Sequence, residues 1–211
     1  MHDLEQLKEA LMVGDWKTAA AATRAALAGG IAPLTIVSGH LMPAMDEVGR
    51  LFECEEYFVP EMLLSARAMK ASMDILRPLL ASTGAQPAGR VVIGTVKGDL
   101  HDIGKNLVAS MLEGGGFEVI DLGADVAPEL FVETATARNA NLVALSALLT
   151  VTMGWMKTTI DAFSAAGLRE RVKIMVGGAP ITQQYADAIG ADGYCDNAPS
   201  AVALARKLVA A

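Results

Sequence analysis

The chain has 211 residues, room for one large domain or two small ones. Its hydrophobic content of 53% against 19% charged residues supplies a packed core and excludes a disordered profile. A net charge of −7 with no basic run argues against a nucleic-acid surface, which needs clustered Lys and Arg.

The amino-terminal stretch MHDLEQLKEA is charged and amphipathic, so it does not read as a secretory signal. No apolar run reaches the ~20 residues that cross a bilayer. Cys54 and Cys195 stand apart, without a CxxC pattern, which argues against a disulfide framework and a thiolate metal cage. The expectation is a soluble, cytoplasmic protein with neither membrane nor nucleic acid as a partner. The 11 methionines, beside 5% aromatics, suit core filling better than an adaptable binding surface.

Residues 1–81 read as helices. LEQLKEALMVG gives a first helix that ends at Gly14, and DWKTAAAATRAALAGG begins with Asp15 as a candidate N-cap. APLTIVSGHLMPAMDEVGRLFE opens on Pro33, a permitted first-turn position, while Gly39 and Pro43 are expected to bend or interrupt it. PEMLLSARAMKASMDILRPLLA opens on Pro60 and repeats apolar residues at helical spacing. Four such segments with short connections favour an antiparallel bundle. The Ser/Thr/Gly/Pro-rich stretch STGAQPAG, residues 82–89, reads as a linker.

From residue 90 to 211 the pattern changes to alternating strand and helix. Strands are expected at 90–95, 117–121, 141–146, 172–176 and 192–194. Helices are expected near 104–113, 128–139, 152–166, 181–189 and 198–210. Short apolar strands alternating with helices imply a parallel sheet covered on both faces. The expected fold class is α/β, a helical bundle followed by a Rossmann-type sheet of five parallel strands, which resembles the flavodoxin-like order 2-1-3-4-5. Ligands bind such sheets at the carboxyl ends of strands 1 and 3, where His101 and Ser146 are expected to emerge.

The loop after the first strand reads VKGDLHDIGKN and holds one of only 3 histidines. A histidine there is most often a loop residue with a satisfied hydrogen bond. Three features favour a ligand instead. The loop lies at the crevice of the sheet. Asp99, two residues earlier, can fix the tautomer of His101 and leave the other ring nitrogen free. Gly104 lets the backbone approach something large at the start of the next helix. A structural zinc fits poorly, because the histidines are far apart and no clustered Cys/His accompanies them. There is no GxSxG elbow, no phosphate-binding glycine loop, and no phosphoacceptor aspartate at Ser146. What remains is one protein ligand for a metal that brings its own other ligands.

Asp99-Leu100-His101-Asp102-Ile103-Gly104 resembles the DxHxxG motif of the cobalamin-binding domain found in methionine synthase and in the corrinoid proteins of methyltransferase systems. Ser146-Ala147-Leu148-Leu149-Thr150 is similar to that family's serine-leucine pair after strand 3, and Gly177-Gly178 to its double glycine after strand 4. The stretch VGRLFECEEYFVPEMLLSARAMK looks like the four-helix cap that precedes the domain, so the resemblance covers nearly the whole chain.

The resemblance implies cobalamin or a related corrinoid as cofactor, bound base-off and His-on. His101 would be the axial ligand of cobalt, and Asp99 would hydrogen-bond its distal nitrogen. The motif segment Gly98 to Gly104 would lie along the cofactor, with Asp102 either a backbone contact or a helix-start residue. Thr152 would extend the relay from Asp99, or else cap the following helix. Ser146, Leu148 and Thr150 would meet the nucleotide end of the displaced tail. Gly177 and Gly178 would leave room for that tail, or simply make a tight turn. The tail would also pass Asn197-Ala198. Phe58 and Met62, four apart, would share an apolar face of the cap above cobalt, or belong to the bundle core. Gly114-Gly115-Gly116 reads as a helix end and turn.

The function so implied is methyl carriage in a three-component methyltransferase. A substrate-specific methyltransferase would load the carrier and a second would unload it to tetrahydrofolate or coenzyme M. A reductive activation protein would restore the cobalt. The alternatives are a cobalamin-binding sensor or storage module, and the small subunit of a B12-dependent mutase.

Overall fold

The structure, a computed structural model, describes residues 2–82 and 86–210. The chain divides into two compact units. One is Met1–Pro87 with Glu113–Gly116, and the other is Ala88–Leu112 with Phe117–Ala211. Part of the linker read at 82–89, residues 83–85, lies outside the described residues.

The first unit is helical: α1 (His2–Met12), α2 (Trp16–Ala28), α3 (Pro33–Ile36), α4 (Met42–Glu53) and α5 (Val59–Ser82). Asp15 caps α2 as its sequence suggests. Its carboxylate accepts the Lys17 and Thr18 N–H groups at 3.1 Å and the Thr18 hydroxyl at 2.6 Å. Gly14, at φ 76°, makes the preceding turn, and a Cβ there would collide with the Leu64 side chain. Between α3 and α4 the helix widens into a π-helical segment, Val37–Leu41. Pro43 carries no N–H for the Gly39 carbonyl, and its ring would crowd that carbonyl in a regular helix. The wider segment absorbs the misfit, with the Met42 N–H bonded five residues back to the Val37 carbonyl. The interruption expected at Gly39 and Pro43 thus takes the form of a π-bulge rather than a break.

Leu7, Leu11, Ile36, Leu41, Met45, Met62, Met69 and Leu76 are all buried in this unit. Methionines fill core positions here and in the second unit, where Met111, Met156 and Met175 are buried.

The second unit is a parallel sheet: β1 (Arg90–Thr95), β2 (Glu118–Asp121), β3 (Leu142–Ser146), β4 (Lys173–Gly177) and β5 (Gly193–Cys195), in the order β2-β1-β3-β4-β5. The helices between and after them are α6 (Ile103–Gly114), α7 (Pro128–Ala137), α8 (Gly154–Ala165), α9 (Gln183–Ile189) and α10 (Ala198–Ala210). Every strand lies within a residue or so of its expected limits.

Val92, Val143, Leu145, Ile174 and Val176 alternate along the strands and pack on Phe131 of α7, Ile160 and Phe163 of α8, and Ile189 of α9. α10 packs against β3 and β4. Because crossovers between parallel strands are right-handed, the reversal after β1 sends α6 to the face opposite α7, α8 and α9. The register aligns Thr95 with Ser146, Ser146 with Gly177, and Gly177 with Cys195, a level row at the carboxyl edge. Loops leaving that row share one end of the sheet.

Ser72 lies in α5 with its hydroxyl buried and without a hydrogen-bond partner among the described residues. An unmade hydrogen bond of this kind costs about 1–3 kcal/mol of desolvation. Ser72→Ala should therefore raise stability by about 1 kcal/mol, read as a higher midpoint in urea unfolding with an unchanged slope.

Candidate functional site

β1 ends at Thr95, and the chain turns outward through Val96 to Asp102 before α6 begins. Gly98 takes φ 78°, a left-handed conformation that a glycine adopts freely. That turn sends the Asp99 side chain inward, where it is fully buried. Its two oxygens collect five donors. Oδ1 accepts the His101 backbone N–H and the His101 ring Nδ1, each at 3.1 Å. Oδ2 accepts the Leu148 N–H at 2.8 Å, the Leu149 N–H at 3.2 Å and the Thr152 hydroxyl at 2.8 Å.

Burial pushes the Asp99 carboxyl pKa up. The bonds from Leu148, Thr152 and His101 outweigh it and hold the group well below the usual carboxylate range. Asp99 is therefore an anion, able only to accept. In the neutral ring, His101 Nδ1 carries the proton that faces Asp99, and Nε2 keeps a lone pair. The His101 side chain is 54% exposed, so that lone pair is presented to solvent. Thr152 is buried and forms the expected link to Asp99. It is not the cap of α8, whose cap position is Met153.

Around this histidine the surface is apolar. Leu100 is 76% exposed and Ile103 74%, one on each side of His101-Asp102 in the chain. Leu148 and Leu149 are partly exposed and sit on the same carboxylate through their N–H groups; Val151 beside them is 84% exposed. Asp102 stays at the helix start, where it accepts the Asn106 side-chain amide at 3.1 Å.

The other expected residues fall into two groups. Ser146 at the end of β3 and Thr150 in the following turn have hydroxyls without a partner among the described residues, so both can serve a ligand. The rest are occupied by the protein itself. At Gly178, φ is 131° and a Cβ would run into the Ala147 carbonyl oxygen. At Gly177 a Cβ would stand 3.0 Å from the Cys195 carbonyl oxygen. Close backbone approach requires both glycines, whatever passes beside them. Ala198 is buried at the start of α10, and Asn197 before it shares reciprocal capping bonds with Ser200 at 2.8 and 3.2 Å.

Phe58 and Met62 do not share a face, contrary to the four-residue spacing. Phe58 precedes the first helical residue of α5 and is 60% exposed, while Met62 is 0% exposed in the core. Helical angles apply only from Val59 onward, which is why the spacing misleads. The exposed apolar residues at that end of α5 are Phe58, Val59, Leu63 and Leu64.

Several residues that secure the site carried no sequence motif. Thr95 is buried and donates its hydroxyl to the His101 carbonyl at 2.8 Å. Lys105 is buried in α6, with its ammonium 2.5 and 2.6 Å from the Asp121 carboxylate and 2.6 Å from Asn106. Asp125 holds the Gly98 N–H at 2.6 Å. Trp155 stacks under the Lys97 ammonium at 4.9 Å. A lysine at a helix position that otherwise reads as apolar was the one available signal.

No cluster of three or more His, Cys, Asp or Glu side chains suited to a metal ion occurs among the described residues. The donor set is one oriented imidazole within a half-exposed apolar rim, which fits a flat metal complex that brings its own equatorial ligands. That defines the class: a parallel α/β domain with one oriented imidazole at the carboxyl end of its sheet, in a chain that also carries a helical domain. The chain belongs to the B12-binding corrinoid protein family: one B12 binding domain model matches residues 3–77 and another residues 89–203.

Among its relatives, dimethylamine corrinoid protein 1 of Methanosarcina acetivorans is 46% identical over 183 residues, 86% of each chain. Trimethylamine corrinoid protein 1 of the same organism is 40% identical over 208 residues, 98% of this chain and 96% of that one. A solved cobalamin-binding protein from Desulfitobacterium hafniense matches with TM-score 0.79 and 32% identity, covering 97% and 98%. The methanol:cobalamin methyltransferase complex of Methanosarcina barkeri matches with TM-score 0.87 and 27% identity, covering 99% of this chain and 80% of that chain.

Two outcomes follow from this geometry. Gly178→Ala should destabilise the protein by about 3 kcal/mol or more even without a ligand, measured by urea unfolding. Burial pushes the Cys195 thiol up to about 12, with Asp196 adding to the shift, whereas Cys54 is exposed. A thiol reagent at pH 8 should therefore modify Cys54 in the folded protein and reach Cys195 only after unfolding.

Proposed function

We propose that the protein is a corrinoid-carrying methyl carrier, the non-autonomous subunit of a methyltransferase system. The observation that carries the reading is the Asp99–His101 pair, in which the Nδ1 contact leaves Nε2 free to donate. When bound, a corrinoid supplies a cobalt centre that takes up a methyl group from a donor and releases it to an acceptor.

With a corrinoid bound, His101 would offer its Nε2 lone pair to the metal, in the role otherwise filled by the cofactor's own benzimidazole. Asp99 keeps the ring in the tautomer that permits this and raises the basicity of the donating nitrogen. Thr152 and the Leu148 and Leu149 N–H groups hold the carboxylate in place, so the ring does not have to be ordered when the ligand arrives. Without a metal bond at Nε2, the His101–Asp99 pair could hold a proton there, with the imidazolium paired to the carboxylate. Leu100, Ile103, Leu148, Leu149 and Val151 provide the apolar bed for a flat macrocycle. Ser146 and Thr150 offer hydroxyls to its polar tail.

A substrate-specific methyltransferase loads the carrier, and a second methyltransferase transfers the group to tetrahydrofolate or coenzyme M. A reductive activation protein returns the metal to its reactive state. The relatives named for dimethylamine and trimethylamine support a methylated amine as the donor.

The test is electron paramagnetic resonance of the cobalt(II) form of reconstituted protein, beside His101→Ala. Nitrogen splitting in the wild type should disappear in the variant. An unchanged nitrogen signal in the variant would leave the benzimidazole on cobalt and remove His101 from its role. A wild type that takes up no corrinoid would remove the function itself.

A further inference from the structure

Asp125, in the loop after β2, shares a left-handed backbone with Asn139 but unlike it lies beside the histidine loop. Its φ is 56°, in the left-handed region that side chains other than Asn, Asp and Gly rarely occupy. Gly123, two residues earlier, also has a left-handed φ of 80°. A glycine at 125 would meet the same conformational demand without strain, so the retained carboxylate calls for a reason of its own.

The reason lies in what it holds. Asp125 Oδ1 accepts the Gly98 N–H at 2.6 Å, and the Asp125 N–H donates to the Asp99 carbonyl at 2.9 Å. The two bonds grip consecutive residues of the histidine loop, Gly98 through its donor and Asp99 through its acceptor. The segments run alongside each other nearby. The Thr95 N–H bonds to the Gly123 carbonyl at 2.9 Å, the Val126 N–H bonds to the Thr95 carbonyl at 3.0 Å, and Val96 pairs with Val126 as a parallel bridge. Asp125 thus closes a short ladder beyond the end of β2, and its side chain is the only part of that ladder that reaches Gly98.

The geometry points to Asp125 as a positioning residue for His101, acting through the backbone of Gly98 and Asp99. This rests on reading His101 as the axial nitrogen donor. Asp99 aims its carboxylate at five donors only while its own backbone is held, and Asp125 holds it from the side opposite β3. Thr95, bonded to the His101 carbonyl, holds the far end of the same turn. Released at Gly98, the turn keeps its fold but lets the Asp99 carboxylate and the His101 ring drift together.

Two substitutions separate this role from a structural one. Asp125→Gly keeps the left-handed backbone and the N–H to Asp99 but removes the acceptor for Gly98. Asp125→Asn keeps an acceptor oxygen and tolerates the same φ. Each is made in the full chain and read twice. Nitrogen NMR of the histidine ring in corrinoid-free protein reports the tautomer, and the cobalt(II) spectrum of cobalamin-loaded protein reports the axial ligand.

Asp125→Gly should fold normally yet lose the single Nδ1–H tautomer, and its ratio of His-on to His-off cobalt should fall about tenfold. Asp125→Asn should restore both signals. An Asp125→Gly variant with the wild-type tautomer and axial signal would overturn the inference. If wild-type cobalt(II) shows no histidine nitrogen, the reading of His101 as donor fails instead. The tautomer measurement then decides alone whether Asp125 positions the ring.

Discussion

One buried carboxylate organises the site. Asp99 has no exposed surface, and an anion taken out of water is costly unless every lone pair finds a donor. Five donors meet it, drawn from its own loop, from the turn after β3 and from the approach to α8. The sheet makes this possible. With β1 and β3 as neighbours, and Thr95 level with Ser146, the loops that leave them emerge side by side. Strand order and the protonation of a histidine are therefore linked by a chain of short contacts.

The imidazole inherits its properties from that arrangement. Because Asp99 only accepts, the ring has one tautomer, and because the carboxylate is fixed from several directions, the ring has one orientation. Exposed apolar side chains surround the free nitrogen, which would be a liability on a surface meant to stay wet. On a surface meant to receive a flat organic ligand they are the means of holding it. Thr152 shows how economical the shell is. Its hydroxyl lies 2.8 Å from Asp99 and 2.9 Å from the Leu149 carbonyl, with one proton to share between them. The carboxylate is the stronger acceptor of the two.

Much of this was legible before any coordinates. Parallel strands buried on both faces read as short apolar runs, so β1, β3 and β4 announced themselves, and five such units resembled the flavodoxin-like order 2-1-3-4-5. His101 lies close enough to a strand end that its place at the crevice could be argued from topology, while the link from Asp99 to Thr152 came from the family resemblance. What escaped was whatever depended on a second loop arriving from elsewhere. Asp125 is 26 residues beyond Asp99 (125 − 99) and belongs to no motif; only the paired segments after β1 and β2 bring them together. Lys105 belongs to no motif, yet it is buried with its ammonium on the Asp121 carboxylate. The spacing of Phe58 and Met62 misled for a local reason: the helix starts one residue after Phe58. The glycine pair after β4 was read for the space it leaves. In the fold, the Ala147 and Cys195 carbonyls already define that space.

A rigid lower ligand has a consequence for how a carrier can work. A metal centre that passes a group between two partners must alternate between states that want an axial nitrogen and states that do not. If the histidine were loosely held, each release would let the ring turn away, and recapture would carry an ordering cost on every cycle. Here the ring is tethered by Nδ1 to a carboxylate that is itself locked, so Nε2 stays aimed whether or not it is bonded. The same tether gives a released Nε2 a nearby negative charge to offset a proton. Under the proposed role of His101, recapture would then need no reorientation of the ring. That role places stiffness in the sheet loops, where the buried Asp99 anion enforces it.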